Sequence, residues 1–96
     1  MINLIIGVCS LKLNIYEADS LKEKRHIIKS IIGRLQSRFN ISIAEVDLND
    51  NWQSSVIGFA CITNDTKYAD EVISKVIKFI DGDGRVEIIE QNIEML

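Results

Sequence analysis

Apolar and polar side chains alternate strictly in the segment LKLNI, residues 11–15. A two-residue period is typical of a strand with one buried face. The preceding segment, residues 4–9, is apolar at odd-numbered and even-numbered positions alike. The pattern therefore predicts a first strand that is covered on both faces at its start and on one face at its end.

A helical period replaces this alternation from Ser20 onward. Ser20 and Glu23 form a capping box, in which the hydroxyl and the carboxylate satisfy free backbone donors at a helix start. Apolar residues then recur at spacings of three and four, which predicts a first helix over 20–39 with one stripe facing the core. The predicted stripe comprises Leu21, Ile28, Ile31, Ile32, Leu35 and Phe39.

Two more strands, a helix and a final strand follow. The segments ISIAEVDL (41–48) and SVIGFACIT (55–63) predict a hairpin with a turn at 49–53. Asn64 or Asp65 can cap a second helix, which ends at the segment DGDG, and a last strand runs from Arg85 to about Ile93. The predicted buried side of the second helix comprises Tyr68, Val72, Val76 and Phe79 with Ala69, Ile73 and Ile80.

This order of elements predicts one α+β domain over residues 1–96 with the ferredoxin-like βαββαβ arrangement. In that fold a four-stranded antiparallel sheet carries both helices on one face. The opposite face would then expose Leu4, Ile6, Val8 and apolar residues of the third strand. An uncovered apolar face predicts a partner, most simply a second copy, so we expect a homodimer through the sheet face.

Charge is segregated along the chain. Residues 20–39 hold six of the eleven Lys and Arg residues and one acid, a net charge of +5, whereas the other 76 residues carry −8. Such segregation is typical of a surface that meets phosphate or another anionic partner. The candidate nucleic-acid or anion-binding residues are Lys22, Arg25 and Lys29 on one face, with Arg34 and Arg38 further round the helix.

A plain solvated helix surface is the alternative interpretation of these cations. RNA recognition on the sheet face requires aromatic side chains on the central strands, and Phe59 is the one aromatic there, which argues against that mode. Trp52, at the hairpin tip, is a candidate partner-binding residue. It could instead fold back over apolar surface, and burial is the interpretation that we favour.

No constellation of residues indicates catalysis, a metal or a cofactor, so we expect a protein that is not an enzyme. His26 has no nucleophile fixed near it by spacing. Glu45 and Asp47 share a parity and could be paired carboxylates, but charges on an edge strand also deter aggregation. Cys9 and Cys61 lie in apolar runs, which predicts buried free thiols in a reducing cytoplasm, and no segment indicates a signal peptide or a membrane span.

The segments SLKEKR (20–25) and RFNISIAEVD (38–47), followed by Trp52 and IGFA (57–60), resemble the YlxP-like family, domain of unknown function 503. The resemblance spans residues 1 to about 94 and implies a ferredoxin-like fold in a cytoplasmic bacterial protein. Members are often encoded beside translation initiation factor 2, a transcription elongation factor and ribosome-binding factor A. The resemblance thus implies a link to ribosome assembly or RNA, and it brings no catalytic residues.

Two functions follow from these observations. The first is a non-catalytic binding module that uses the basic helix 20–39 and has ribosomal RNA or ribosome-assembly factors as partners. The alternative is a homodimeric protein–protein interaction module with no nucleic-acid role, whose basic helix meets an acidic protein.

Overall fold

The computed structural model describes residues 2–96. The elements are β1 Ile5–Asn14, α1 Leu21–Arg38, β2 Ser42–Asp47, β3 Ser54–Thr63, α2 Thr66–Asp81 and β4 Glu87–Met95. The strands form one antiparallel sheet in the order β2-β3-β1-β4, and both helices pack on the same face of that sheet. The predicted ferredoxin-like arrangement is confirmed, and β4 begins and ends two residues later than predicted.

The two central strands, β1 and β3, pair along their whole length, from Ile5 opposite Thr63 to Asn14 opposite Ser54. Side chains alternate between the faces, so every second residue of each strand enters the core beneath the helices. Phe59 is one of these core residues and is 4% exposed. The core residues of these strands are Cys9, Leu11, Leu13, Ile57, Phe59 and Cys61.

Helix α1 begins as the capping box predicts. Ser20 Oγ accepts a hydrogen bond from the Glu23 backbone N–H at 3.1 Å, and Glu23 Oε2 accepts one from the Asp19 N–H at 3.2 Å. The buried face of α1 is rotated relative to the predicted stripe, because the flank of the helix that faces the short edge strand β2 stays partly open. Leu21, Ile32 and Phe39 are half-buried, and the buried residues are Lys24, Ile27, Ile28, Ile31 and Leu35.

Helix α2 is capped by Asp65, whose Oδ1 accepts a hydrogen bond from the Lys67 N–H at 3.0 Å. Burial was correctly predicted for five of its residues: Ala69, Val72, Ile73, Val76 and Ile80. The prediction was wrong for Tyr68, which is 54% exposed, and Phe79 is half-buried. Both aromatics lie roughly 100° from the centre of the buried face, at the flank of the helix.

A bulge in β2 separates the two carboxylates that were considered as a pair. Glu45 lies opposite Ile57, on the helix side of the sheet, whereas Asp47 lies opposite Val56, on the other side. One extra residue in a strand reverses the alternation of its side chains. The expectation that Glu45 and Asp47 share a face was therefore wrong, and they do not form a carboxylate pair.

Candidate nucleic-acid interface and neighbouring surfaces

Lys24 belongs to the core and not to the basic surface of α1. Its Nζ donates hydrogen bonds to Glu45 Oε2 at 2.6 Å, to the Leu48 carbonyl at 3.0 Å and to the Asn49 carbonyl at 3.2 Å. Glu45 Oε2 also accepts a hydrogen bond from Ser55 Oγ at 2.6 Å. All three ammonium donors are thus satisfied. Five exposed cations remain on α1, one fewer than the charge count along the sequence suggests.

This buried lysine holds the β2–β3 turn against the N-terminal half of α1. Leu48 has a φ of 58°, a left-handed conformation that costs a non-glycine residue about 1–2 kcal/mol. Its N–H donates to Asp47 Oδ1 at 2.7 Å, and its carbonyl accepts from Lys24 and from the Asn51 N–H at 3.0 Å. These hydrogen bonds offset the strain, and they fix the turn that carries Trp52 beside the helix.

Trp52 is 47% exposed, so the favoured burial of this side chain was wrong. Residues 49–53 are all exposed, so Trp52 lies in a turn that is open to solvent throughout. The turn is tied to the end of β1 by the Ile15 N–H, which donates to the Gln53 carbonyl at 2.8 Å. Tyr16, which is 63% exposed, follows Ile15 directly. Two exposed aromatic residues consequently lie at the end of the molecule where α1 begins.

The structure divides the five exposed cations of α1 between two flanks of the helix. Arg25 and Lys29 line a groove of about 340 Å³ together with Glu45 of β2. Arg34 and Arg38 lie against α2, and Arg38 Cζ is 4.9 Å from the centre of the Phe79 ring. Lys29 and Arg34 point roughly 140° apart, since each residue turns a helix by about 100°. We call the group on the β2 side, Lys22, Arg25 and Lys29, the basic stripe.

The basic stripe is almost free of neutralising charge. Within residues 2–96, no carboxylate lies within 4 Å of the ammonium groups of Lys22 and Lys29. Arg25 pairs with Asp50 at 3.5 Å, but the two side chains are 58% and 94% exposed, and such exposed pairs contribute little. Glu23 is engaged in the helix cap. The stripe is therefore a positively charged surface that is open to solvent.

A second basic group gathers where the C-terminal halves of α1 and α2 meet the α2–β4 loop. Arg34, Lys78 and Arg85 line a groove of about 500 Å³ there, beside Asp83 and Phe79. Sequence reasoning identified Arg34 but missed Lys78 and Arg85, because these residues lie on separate elements. The segment DGDG was interpreted simply as the end of a helix. The one available signal was the position of Lys78 and Arg85 on either side of that segment.

The sheet face away from the helices carries an apolar row at one end. Ile6 lies opposite Ile62 of β3 on one side, and on the other its backbone exchanges hydrogen bonds of 3.3 and 2.8 Å with Leu96. Ile62 and Leu96 are 61% and 62% exposed, and Leu4 is 60% exposed. Val8 lies one pair further along this face and is half-buried. An uncovered apolar face is thus present at Leu4 and Ile62, whereas Ile6 and Val8, which were expected to be exposed there, are half-buried because β1 has a neighbouring strand on each side.

The thiols are free and buried, as predicted. Burial raises the pKa of the Cys9 thiol to about 11, which leaves a weak nucleophile at neutral pH. Within the described part of the chain, no three His, Cys, Asp or Glu side chains come together as a metal-binding group. No helix of residues 2–96 has the length and apolar character needed to cross a bilayer.

Residues 6–93 match the family model described as "Protein of unknown function (DUF503)". The chain is 36% identical over 83 residues to the Uncharacterized protein YlxP of Bacillus subtilis (strain 168), an alignment that covers 86% of this chain and 90% of that protein. The predicted resemblance is thereby confirmed.

Two de novo designed proteins share the fold. Foldit4 superposes with a TM-score of 0.55 at 10% identity, over 97% of this chain and 96% of the design. The design LFR1, whose solution NMR structure has a ferredoxin fold, gives a TM-score of 0.52 at 16% identity, over 98% of this chain and 86% of the design. At these identities the likeness concerns the fold alone. By its sequence match over residues 6–93, the chain belongs to the DUF503 family of proteins of unknown function.

Proposed function

We propose that this protein is a non-catalytic, cytoplasmic module that binds RNA, such as ribosomal RNA, through the basic stripe of α1. The observation that carries the proposal is the unneutralised charge of Lys22 and Lys29 beside the weakly paired Arg25. Cations in this arrangement bind a phosphodiester backbone and release its condensed counterions. Two free, buried thiols support a reducing compartment.

Two exposed aromatic residues favour RNA over a partner that would be bound by charge alone. Trp52 and Tyr16 lie at the end of the molecule where α1 begins, and unpaired bases of RNA loops stack on such rings. Base stacking contributes about 1–3 kcal/mol per base. Phe59 is buried under the helices, so the central strands present no aromatic ring on the uncovered face.

The Lys24 hydrogen bonds also support this interface. They join α1 to the turn that carries Trp52, so the basic stripe and the backbone of this turn are held beside each other. A binding surface that is already ordered loses less conformational entropy when its ligand binds. The buried lysine thus acts as a positioning residue and does not contact the RNA.

The experiment is a fluorescence-anisotropy titration with fragments of ribosomal RNA at several salt concentrations. It compares the wild type with K22E/K29E and with the control K67E/K75E, which makes the same net-charge change at exposed positions of α2. Each single-strand phosphate contact contributes about −0.7 to the slope of log affinity against log salt. We expect a wild-type slope near −2, a strong loss of affinity and slope in K22E/K29E, and little change in the slope for the control. Equal losses in the two variants, or no binding by the wild type at low salt, would refute the proposal.

A second candidate function is self-association through the sheet face, favoured by the apolar row Leu96, Ile6 and Ile62. The chain exposes 6119 Å², roughly 500 Å² more than a monomer of 10.9 kDa usually does. Each partner of a standard interface buries about 800 Å². A second copy presents the same row, as a twofold contact requires. Because α1 lies on the other face of the sheet, such a dimer leaves the basic stripe free.

A further inference from the structure

The groove at the C-terminal halves of the two helices collects cations from three separate elements. Arg34 comes from α1, Lys78 from α2, and Arg85 from the loop before β4. Phe79 forms part of the wall, and the Arg38 guanidinium lies over its ring. The groove measures about 500 Å³, within the range of about 300–1,000 Å³ that is usual for small-molecule sites.

Asp83, the acidic residue of the groove, is already engaged by one of these cations. Arg85 donates from Nε to Asp83 Oδ1 at 3.0 Å and from Nη2 to Oδ2 at 2.7 Å, and Nη2 also contacts Ser30 Oγ at 3.3 Å. These contacts orient the guanidinium and leave its Nη1 group without a hydrogen-bond partner in residues 2–96. The hydrogen bonds from Arg85, reinforced by the charge of Arg34, hold the pKa of Asp83 below its usual range.

Arg34 and Lys78 supply the surplus positive charge of the groove. Among the described residues, no carboxylate lies within 4 Å of either side chain. Cations near helix C-termini commonly compensate the helix dipole. Here, however, the Lys78 and Ile80 carbonyls accept hydrogen bonds of 3.0 Å from the Gly82 and Asp83 N–H groups. These two carbonyls at the end of α2 therefore have backbone donors and need neither cation as a hydrogen-bond partner.

We propose that this groove binds a phosphate dianion, either free phosphate or the terminal phosphate of a small phosphomonoester. Arg34 and Lys78 match its two negative charges, and the ordered guanidinium of Arg85 supplies a directed donor. Gly84 leaves the loop backbone open to the ligand, since a Cβ added there would have no neighbour within 4 Å. The organic part of a phosphomonoester would lie along the Phe79 ring. The site uses none of the basic stripe, so it stands independently of the RNA proposal.

The test is an NMR titration of the full chain with inorganic phosphate, adenosine 5′-monophosphate and adenosine at constant ionic strength. We expect saturable amide shifts at Gly82, Gly84 and Arg85 with the two phosphates and none with adenosine. In R34Q/K78Q, phosphate affinity should fall at least tenfold. The control K67Q/K75Q removes the same charge from exposed positions of α2 and should bind as the wild type does. Unchanged spectra away from the groove verify that each variant is folded.

If adenosine 5′-monophosphate binds more tightly than inorganic phosphate, the ligand is a phosphomonoester. If the two bind equally, the ligand is free phosphate. Both results support the site. Wild-type affinity in R34Q/K78Q, or shifts confined to residues 22–29, would overturn the proposal. The variant K22E/K29E separates the two proposals, because it should lose RNA and keep phosphate. If the wild type does not bind RNA at all, the RNA proposal fails and the phosphate result is unaffected.

Discussion

Lys24 and Arg25 are neighbours in the chain, but their charges have different roles. Lys24 is fully buried and ion-paired with Glu45, whereas the Arg25 side chain is 58% exposed and lies beside an exposed carboxylate. Both belong to the segment SLKEKR, and composition alone does not distinguish them. The available signal was periodicity, since Lys24 lies four residues before Ile28 and therefore on the buried face. A count of charged residues predicts a charged surface only once each residue has been assigned to the buried or the exposed face of the helix.

We predict that K24M destabilises the protein strongly. It leaves the carboxylate of Glu45, which is 15% exposed, without its cation, and breaking a buried pair in this way costs about 3–5 kcal/mol. R25M, at the exposed pair with Asp50, should cost less than about 1 kcal/mol. Urea unfolding measures both values. The double variant K24M/E45L should recover part of the loss, and a K24M protein no less stable than R25M would contradict the buried ion pair.

At the scale of elements, glycines distinguish a free helix surface from a close contact. Gly33 lies inside α1 with no atom within 4 Å of an added Cβ, so close approach of another backbone does not explain it. Gly7 of β1 differs, since an added Cβ would lie 3.0 Å from Ile73 Cδ1 and 3.3 Å from Ala69 Cβ of α2. Helix α2 therefore packs tightly on the centre of the sheet at Gly7.

We predict that G33A raises the free energy of unfolding by about 0.5–1 kcal/mol, because alanine loses less backbone entropy in a helix. G7A should lower it, since Ile73 Cδ1 and Ala69 Cβ must each move by a few tenths of an ångström to admit the methyl group. Thermal and urea unfolding of the two variants give the comparison. Stabilisation by both substitutions would show that α2 does not pack on β1 at the distances seen here.

At the scale of the whole molecule, the two faces of the sheet differ in character. The helix face is closed by the core and presents the basic stripe outward, whereas the other face carries the apolar row at one end and three glutamates of β4, namely Glu87, Glu90 and Glu94. The acidic net charge of the chain is therefore compatible with a basic binding surface. The two surfaces lie on opposite sides, and each can be occupied separately.

We predict that I62K disrupts self-association, because it places an ammonium on the row at its most exposed β3 position, directly opposite Ile6. Sedimentation equilibrium should show a concentration-dependent dimer for the wild type and a monomer for I62K. Y68K is the matched control, since Tyr68 is exposed to a similar degree but lies on α2. A monomeric wild type at high concentration, or dissociation in Y68K alone, would argue against pairing through the sheet face. RNA binding by I62K should match that of the wild type.

The order of the elements, the first helix cap, the second cap as one of two neighbours (Asn64 or Asp65) and the uncovered apolar face could be derived from the sequence, because periodicity, capping and alternation are local properties. Ser20, Asp65 and the row through Ile6 illustrate this. Positions at the flanks of helices were less predictable. Tyr68 and Ile32 belong to an apolar period, but their burial depends on how far a neighbouring element extends.

Tertiary structure alone decided which charges meet. The pairing of Lys24 with Glu45 and the convergence of Arg34 with Lys78 and Arg85 each join residues from different elements. The exposure of Trp52 likewise emerged only from the structure, since its sequence context favoured burial. Local patterns determine which elements form, because they depend on near neighbours in the chain. Electrostatic and packing partners are set by the sheet order and by a bulge in β2, which no local pattern encodes.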